Sequence, residues 1–295
     1  MKFSVFTAST PDWTPTEAAE TLAAQGWDGI EWRIVDDRPA DGTTVPAGRS
    51  FWAGNKSTWQ FTGITEHVGD IARITDGAGL EYSGIGGYQQ ASDHEGVETM
   101  LRVTSELGAR QVRVTMPMYR TVKEQTGETY AQIFDRTRAD LEWVADRAAD
   151  LGVKALVELH HMTITPSASA ALRLVDGLDP QHVGVIHDLG NLVIEGQEDH
   201  LAAFELLGPY LAHAHVKNAR WVDTGDTRDD GSVVWQNEWA PLRTGQASVS
   251  EYLDALRQAG YDGWVTIEDF STDLPLEART ADNLAYLRSL VPVPA

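Results

Sequence analysis

The sequence predicts a single closed (β/α)₈ barrel spanning residues 1–295, and three observations point to it. Eight short β-like runs alternate with longer amphipathic stretches along the chain, the pattern of a parallel sheet with helical crossovers. Four phrases, LAAQGWDGIEW, TSELGARQVRV, ADLGVKALVE and LRQAGYDGWVTIE, share one local grammar: an amphipathic helix ends, a glycine caps it and a buried strand follows. No glycine-rich dinucleotide fingerprint or phosphate loop follows the first run. An open doubly wound sheet is therefore the poorer fit for eight strands in 295 residues. No composition shift marks a linker.

The first strand is 2–7, and a helix over 14–25 follows it. Thr14, Pro15 and Glu17 form a capping-box start, and Gly26 ends the helix. Strand two, 29–34, carries Glu31 and Arg33 between apolar neighbours. The connection after it, 35–62, is long and holds Phe51, Trp52, Trp59 and Phe61. Strands three and four are 80–85 and 111–116, and a helix over 130–151 leads to strand five, 154–160. Strands six and seven are 182–188 and 211–216. A second long connection, 218–244, holds Trp221, Trp235 and Trp239. A helix over 249–259 and strand eight, 264–269, complete the barrel. Both long connections leave the C-terminal end of a strand, the face where barrels place their sites, and long loops there act as lids or binding loops.

Barrel strands are buried on both faces and should read as continuous apolar runs. Four break that rule at their C-terminal ends: strand five ends in Glu158, His160 and His161, and strand six in His187 and Asp188. Strand seven carries His213 and His215, and strand eight ends in Glu268 and Asp269. Residues two apart on a strand point the same way, so His213 and His215 share a side. A buried ionised carboxylate costs several kcal/mol unless paired or bound to a cation, and several converging on one mouth repel unless a metal neutralises them. Glu158, Asp188, His215 and Glu268 are therefore the expected ligands of one divalent ion. Mn²⁺ is the first choice, with Mg²⁺, Co²⁺, Fe²⁺ and Zn²⁺ also suited to mixed carboxylate and imidazole donors. His187 and His213 have a plainer alternative as buried histidines donating to a carbonyl. Glu31 is a candidate substrate contact and Arg33 a weaker one. Lys217 either binds a substrate oxygen or steadies a neighbouring carboxylate. His67, His94, His182 and His200 fall away from the expected mouth.

Composition narrows the function classes. A net charge of −21 repels polyanions, and no lysine–arginine cluster offers a local exception, so nucleic acid is excluded as a partner. The absence of cysteine rules out disulfides and thiolate chemistry. No run approaches the roughly 20 apolar residues that span a bilayer, and the start, MKFSVFTASTPDW, lacks signal-peptide features. A cytoplasmic protein is expected.

Over nearly its full length, and most strongly in its second half, the chain resembles the xylose isomerase-like, or sugar phosphate isomerase/epimerase, TIM barrels. Glu158-Leu159-His160, the run from His182 to Asn191, His213-Ala214-His215-Val216-Lys217-Asn218 and the closing GYDGWVTIE are similar to that family's phrases. The resemblance implies the same four metal ligands and a metal-held sugar. It also implies proton abstraction beside a carbonyl, with Glu158 or Glu268 removing the proton to give an enediolate and the other returning it. The chain departs from the family pattern at Asn191, where many epimerases have His, and at Asn218, where the phrase has Asp. Asn218 and the acidity count against the abasic-site endonuclease branch of the fold. Related barrels cleave C-glycosides of aromatic aglycones through a 3-keto sugar, with His160 or a glutamate abstracting the acidic proton before β-elimination. The Trp-rich loops fit that alternative, with Trp52, Trp59, Trp221, Trp235 and Trp239 as a flat aromatic pocket. The substrate contacts expected overall are His213, Asn191, Lys217, Glu31, Trp52 and Trp221. A third alternative is a non-catalytic sugar- or inositol-binding barrel subunit. The expected ligand is an unphosphorylated sugar or glycoside, because the late loops lack a phosphate cradle. A homo-oligomer is expected, or a subunit of a hetero-complex.

Overall fold

The structure, a computed structural model, describes residues 1–37 and 51–291. Residues 38–50 of the 35–62 connection lie outside the described residues, as do 292–295. Among the described residues the strands are β1 (Lys2–Phe6), β2 (Gly29–Ile34), β3 (Glu81–Gly87), β4 (Gln111–Val114), β5 (Lys154–Glu158), β6 (Val183–Asp188), β7 (Leu211–Val216), β8 (Asn218–Thr227), β9 (Val233–Ala240) and β10 (Trp264–Ile267). The helices among them are α1 (Pro15–Gln25), α2 (Ile64–Ala78), α3 (His94–Glu106), α4 (Tyr119–Thr126), α5 (Tyr130–Leu151), α6 (Ala168–Val175), α7 (Leu189–Glu195), α8 (His200–Leu207), α9 (Val249–Gln258) and α10 (Leu276–Leu290).

β1 to β7 and β10 close into the parallel eight-stranded barrel that the sequence predicts. The seam is sealed by β1 against β10, from Lys2↔Trp264 to Val5↔Ile267. β5 and β10 end sooner than their apolar patterns suggest, yet the ladder runs one bond further. Leu159 N–H donates to the Ile186 carbonyl, and Glu268 N–H to the Val216 carbonyl. The residues expected to carry chemistry thus leave the strands while still tethered to their neighbours.

Local chemistry sets the helix ends. The Thr14 hydroxyl accepts from Glu17 N–H and the Glu17 carboxylate accepts from Thr14 N–H, while Gly26 stops α1 at a φ of 89° that L side chains disfavour. Residues facing outward from the strands pack on the helices. Trp32 is fully buried there and donates its indole N–H to Thr75 Oγ1 at 2.9 Å. Burying an indole of roughly 200 Å² stabilises by about 5 kcal/mol as an upper bound.

The predicted 218–244 connection is an antiparallel ribbon, β8 against β9, standing off the C-terminal mouth. Asn218 anchors its base. Its amide donates to the Leu242 and Ala247 carbonyls at 3.0 and 2.8 Å, and its Oδ1 accepts from Ala247 N–H at 3.1 Å. An aspartate cannot make both donations, so the departure from the family's phrase at this position has a structural cause. No described helix is long and apolar enough to cross a membrane.

Candidate active site

The barrel interior is built in polar layers. At the lower level Ser4 Oγ and Thr266 Oγ1 lie 2.6 Å apart. Above them Gln111 donates to His213 Nδ1 at 2.8 Å. With Nδ1 accepting, His213 carries its proton on Nε2 and donates it to Glu31 Oε2 at 3.0 Å. His215 Nε2 meets the same oxygen at 3.0 Å. Burial disfavours the Glu31 charge, but His215 and His213 outweigh it and hold the carboxyl well below its usual range. Glu31 and His213 are buried beneath the mouth and do not line the cavity above it; His213 braces Glu31, which in turn holds His215.

His215 is the hinge between layers. With Nε2 committed to Glu31, its Nδ1 is buried without a hydrogen-bond partner. It faces Glu268 Oε1 at 3.2 Å, Glu158 Oε1 at 3.8 Å and Asp188 Oδ2 at 3.9 Å. One donor atom from each of Glu158, Asp188, His215 and Glu268 lies within 4.8 Å of the others, and all four residues are buried. Asp188 divides its oxygens: Oδ1 caps α7 by accepting from Asn191 N–H at 2.9 Å, and Oδ2 faces the cluster. Three carboxylates and an unpartnered imidazole nitrogen, oriented from behind by a carboxylate, fit a divalent ion.

Positive charge already leans on this cluster. Lys217 Nζ lies 2.6 Å from Asp188 Oδ2, contacts Glu268, and is 3.8 Å from Glu158 Oε1. Gly190 makes the room, since a Cβ there would collide with the Lys217 side chain and backbone. The ammonium and a metal ion would compete for Asp188 and Glu268. Burial pushes the Asp188 carboxyl up to about 7, with Lys217 opposing and Glu268 and Glu158 reinforcing the shift. Glu158 goes the other way: burial resists its charge, but Arg113, His215 and Lys217 leave it well below the usual range.

Arg113 is a site residue that the strand-end pattern does not single out. It is buried, its Nη1 donates to Glu158 Oε2 at 2.7 Å, and its guanidinium lies 4.2 Å from the Tyr88 ring centroid. The signal was an arginine inside β4, QVRV, where an apolar strand should have none. Asn191 holds the other side: its amide donates to Glu158 Oε1 at 3.3 Å and to the Leu159 carbonyl at 3.1 Å. Its Oδ1 accepts a hydrogen bond from His161 Nδ1–H at 2.9 Å, leaving His161 Nε2 as an acceptor. Burial, then neighbouring His160, pushes His161 down to about 4, so it is neutral near pH 7. His160 stacks on it with ring centroids 4.3 Å apart.

These groups face a cavity of about 420 Å³ whose lining includes Glu158, Glu268, Lys217, Asn191, His160 and His161. Its apolar wall is Trp52, Trp239 and Phe270, with Trp52 and Phe270 centroids 4.5 Å apart. Arg33 braces that wall, bonding Asp37, Thr58 and the Trp52 carbonyl. Tyr88 and Phe270 were also missed, being aromatic residues just past strand ends with no distinguishing pattern. Trp59 packs edge-on against Trp32 in the helical layer, and Trp235 stands exposed on the ribbon. Trp221 lines a separate, adjoining cavity rather than this one. A further cavity, about 610 Å³, sits at the opposite mouth among Lys2, Glu81 and Trp264, and holds none of the candidate ligands.

Residues 19–290 match the family described as xylose isomerase-like TIM barrel. An inosose dehydratase of Lacticaseibacillus casei is 29% identical over 140 residues, 46% of each chain. One from Geobacillus thermodenitrificans is 28% identical over 171 residues, 56% of each. The chain thus aligns with about half the length of these curated relatives. Among solved structures, a 3-keto-D-glucoside 4-epimerase from E. coli superposes with a TM-score of 0.70 at 17% identity, covering 98% of this chain and 99% of that one. A D-allulose 3-epimerase from Methylomonas sp. in complex with D-allulose gives 0.69 at 14%, covering 99% and 97%. A zinc-bound IOLI protein gives 0.69 at 16%, covering 98% of each. At such identities these likenesses show the shared fold.

Proposed function

Because the chain belongs to the xylose isomerase-like TIM-barrel family, we propose that it is a metal-dependent enzyme of the sugar isomerase or epimerase type. Its substrate is an unphosphorylated sugar, or a related polyhydroxy ketone, and the barrel acts as one domain. The observation that carries this is the buried quartet of Glu158, Asp188, His215 and Glu268, with His215 Nδ1 left unpartnered among three carboxylates. In this reading the four hold one divalent ion, Mn²⁺ first. Such an ion, when bound, supplies Lewis acidity that makes the proton beside a substrate carbonyl easier to remove.

The chain's own groups then move that proton. Glu158, kept ionised by Arg113, is able to accept it, leaving an enediolate. Glu268, across the cluster, takes a proton from the Lys217 ammonium that it contacts and passes it to the other face of the carbon, which inverts it. Lys217 regains its proton when Glu158 is deprotonated for the next turnover. His161, neutral with Nε2 free to accept, relays protons among hydroxyls, and His160 stands beside it in the same cavity. Asn191 fixes the approach of both Glu158 and His161. Trp52, Trp239 and Phe270 restrict water on the remaining side.

A lyase is the second reading, since an elimination begins with the same proton removal. The relatives named inosose dehydratase favour it, and the same elimination would release the aglycone of a 3-keto C-glycoside. A non-catalytic sugar-binding subunit fits less well, because both proton-moving glutamates line the cavity.

Elemental analysis of the parent and of Glu158→Gln and Asp188→Asn tests the ligand set. One divalent ion per chain in the parent, lost at least tenfold in affinity in either variant, is expected. No ion even after incubation with Mn²⁺ would sink it. Incubating keto sugars with the loaded protein in D₂O then reads proton abstraction directly, and the product separates epimer from elimination.

A further inference from the structure

We propose that the cavity adjoining the candidate active site is a second subsite, built for an aromatic or other apolar substituent carried on the sugar. The proposal rests on the metal–sugar reading only in deciding which end of the ligand sits where. The two cavities, about 420 and 530 Å³, share His161 and Asn237 in their walls. Beyond those two residues their chemistry diverges. The first holds the carboxylates and Lys217, whereas the second is faced mainly by Tyr119, Tyr130, Met162, Pro166, Ile194 and Trp221.

Two of these rings have their polar ends committed. Tyr130 Oη donates to the Ile164 carbonyl at 3.1 Å and Trp221 Nε1 to the Val193 carbonyl at 3.0 Å. Arg120, Thr163 and Glu195 also line this cavity, Glu195 accepting from the Met162 N–H, so what the rings, Met162, Pro166 and Ile194 offer a ligand is an apolar face with a polar margin. Met162 and Trp221 are 54% and 38% exposed at its edge, so large side chains stand uncovered next to a catalytic cluster. Met162 is also the one non-glycine residue with positive φ, 68°, among the described residues. That conformation is held by its neighbours: Tyr119 N–H donates to the Met162 carbonyl at 3.1 Å and the Glu195 carboxylate takes the Met162 N–H.

Each cavity is of the size that holds a small molecule. A free sugar satisfies the polar cavity and leaves the apolar one facing water. A sugar with an apolar substituent fills both, its polar half at the carboxylates and its ring passing His161 and Asn237. An isolated apolar ligand has no reason to enter the charged cavity.

Phenyl and methyl β-D-glucosides, and 4-nitrophenol alone, serve as probes by calorimetry and tryptophan quenching. Parent protein, Ala170→Phe (which fills the cavity from α6) and Trp221→Ala are compared. Phenyl glucoside is expected to bind the parent at least tenfold more tightly than methyl glucoside, and both variants to lose that preference. Equal binding of the two glucosides, no detectable binding of phenyl glucoside or nitrophenol at millimolar concentration, or a preference that survives Ala170→Phe would each overturn the proposal. So would variants that alter self-association by sedimentation but not phenyl binding, since the face would then belong to a second copy. Metal content is read on the same samples. A phenyl preference without bound metal would sink the metal reading and leave the subsite standing, whereas metal without the preference would do the reverse.

Discussion

Glu158 has both oxygens engaged before any substrate arrives, Oε2 by Arg113 and Oε1 by Asn191. A proton acceptor held this way is pre-oriented and kept ionised, at the cost of basicity. Arg113→Met removes the guanidinium that lowers the Glu158 carboxyl most. Its carboxyl should rise, so the acid limb of the pH–rate profile moves to higher pH, and kcat should fall on the order of 10²-fold. Arg113→Lys should restore part of the pH shift. An unchanged acid limb in a folded Arg113→Met protein would show that Glu158 is not the group titrating. Removing one partner of a buried pair costs about 3–5 kcal/mol, so the midpoint of unfolding should be measured alongside.

At the scale of elements, the ribbon of β8 and β9 carries Trp239 into one cavity and Trp221 into the next. Its placement depends on Asn218, which bridges the ribbon base to the segment leading into α9. Asn218→Asp turns two donations into repulsions against carbonyl oxygens and buries a charge without a cation. A stability loss of about 2–4 kcal/mol is expected. Amide exchange across residues 218–240 should speed up while the barrel strands stay protected, as measured by hydrogen–deuterium exchange. Uniform loss of protection would show instead that the ribbon does not open independently.

For the whole molecule, buried neutral histidines lower stability as the pH falls. Burial, then His200, pushes His187 down to about 3 from an ordinary 6.5, and His161 falls to about 4. A depressed folded-state value means the unfolded chain takes the proton first. The stability contribution is complete above pH 6.5 and is lost as pH falls toward 4 and then 3. For fully buried His187 the loss is bounded at roughly 4–5 kcal/mol. The Asp188 carboxyl, pushed up to about 7, works in the opposite direction over the same range, so the histidine share is read by difference. Between pH 7.5 and 4.5 the urea midpoint of metal-free protein should fall further in the parent than in His187→Phe. Equal drops in parent and variant would assign the acid sensitivity elsewhere.

Several things were determined by the sequence itself: eight strands, their order and the strand ends bearing carboxylates and imidazoles. Those follow from local rules, since a glycine cap, a 3.6-residue face and a two-residue alternation are written in neighbouring residues. Glu158, Asp188, His215 and Glu268 were legible because a charged group at the end of an apolar strand is conspicuous. Only the tertiary structure decided that Arg113 reaches Glu158, 45 residues away, and that Glu31 lies beneath His215, 184 residues away. It also divided the tryptophans, sending Trp52 and Trp239 to one cavity, Trp221 to another and Trp59 to the helical layer. Alternation tells which side of a strand a residue faces. How deep it sits, and which residue meets it across the barrel, is set by the stagger of all eight strands at closure, which no local stretch of sequence contains.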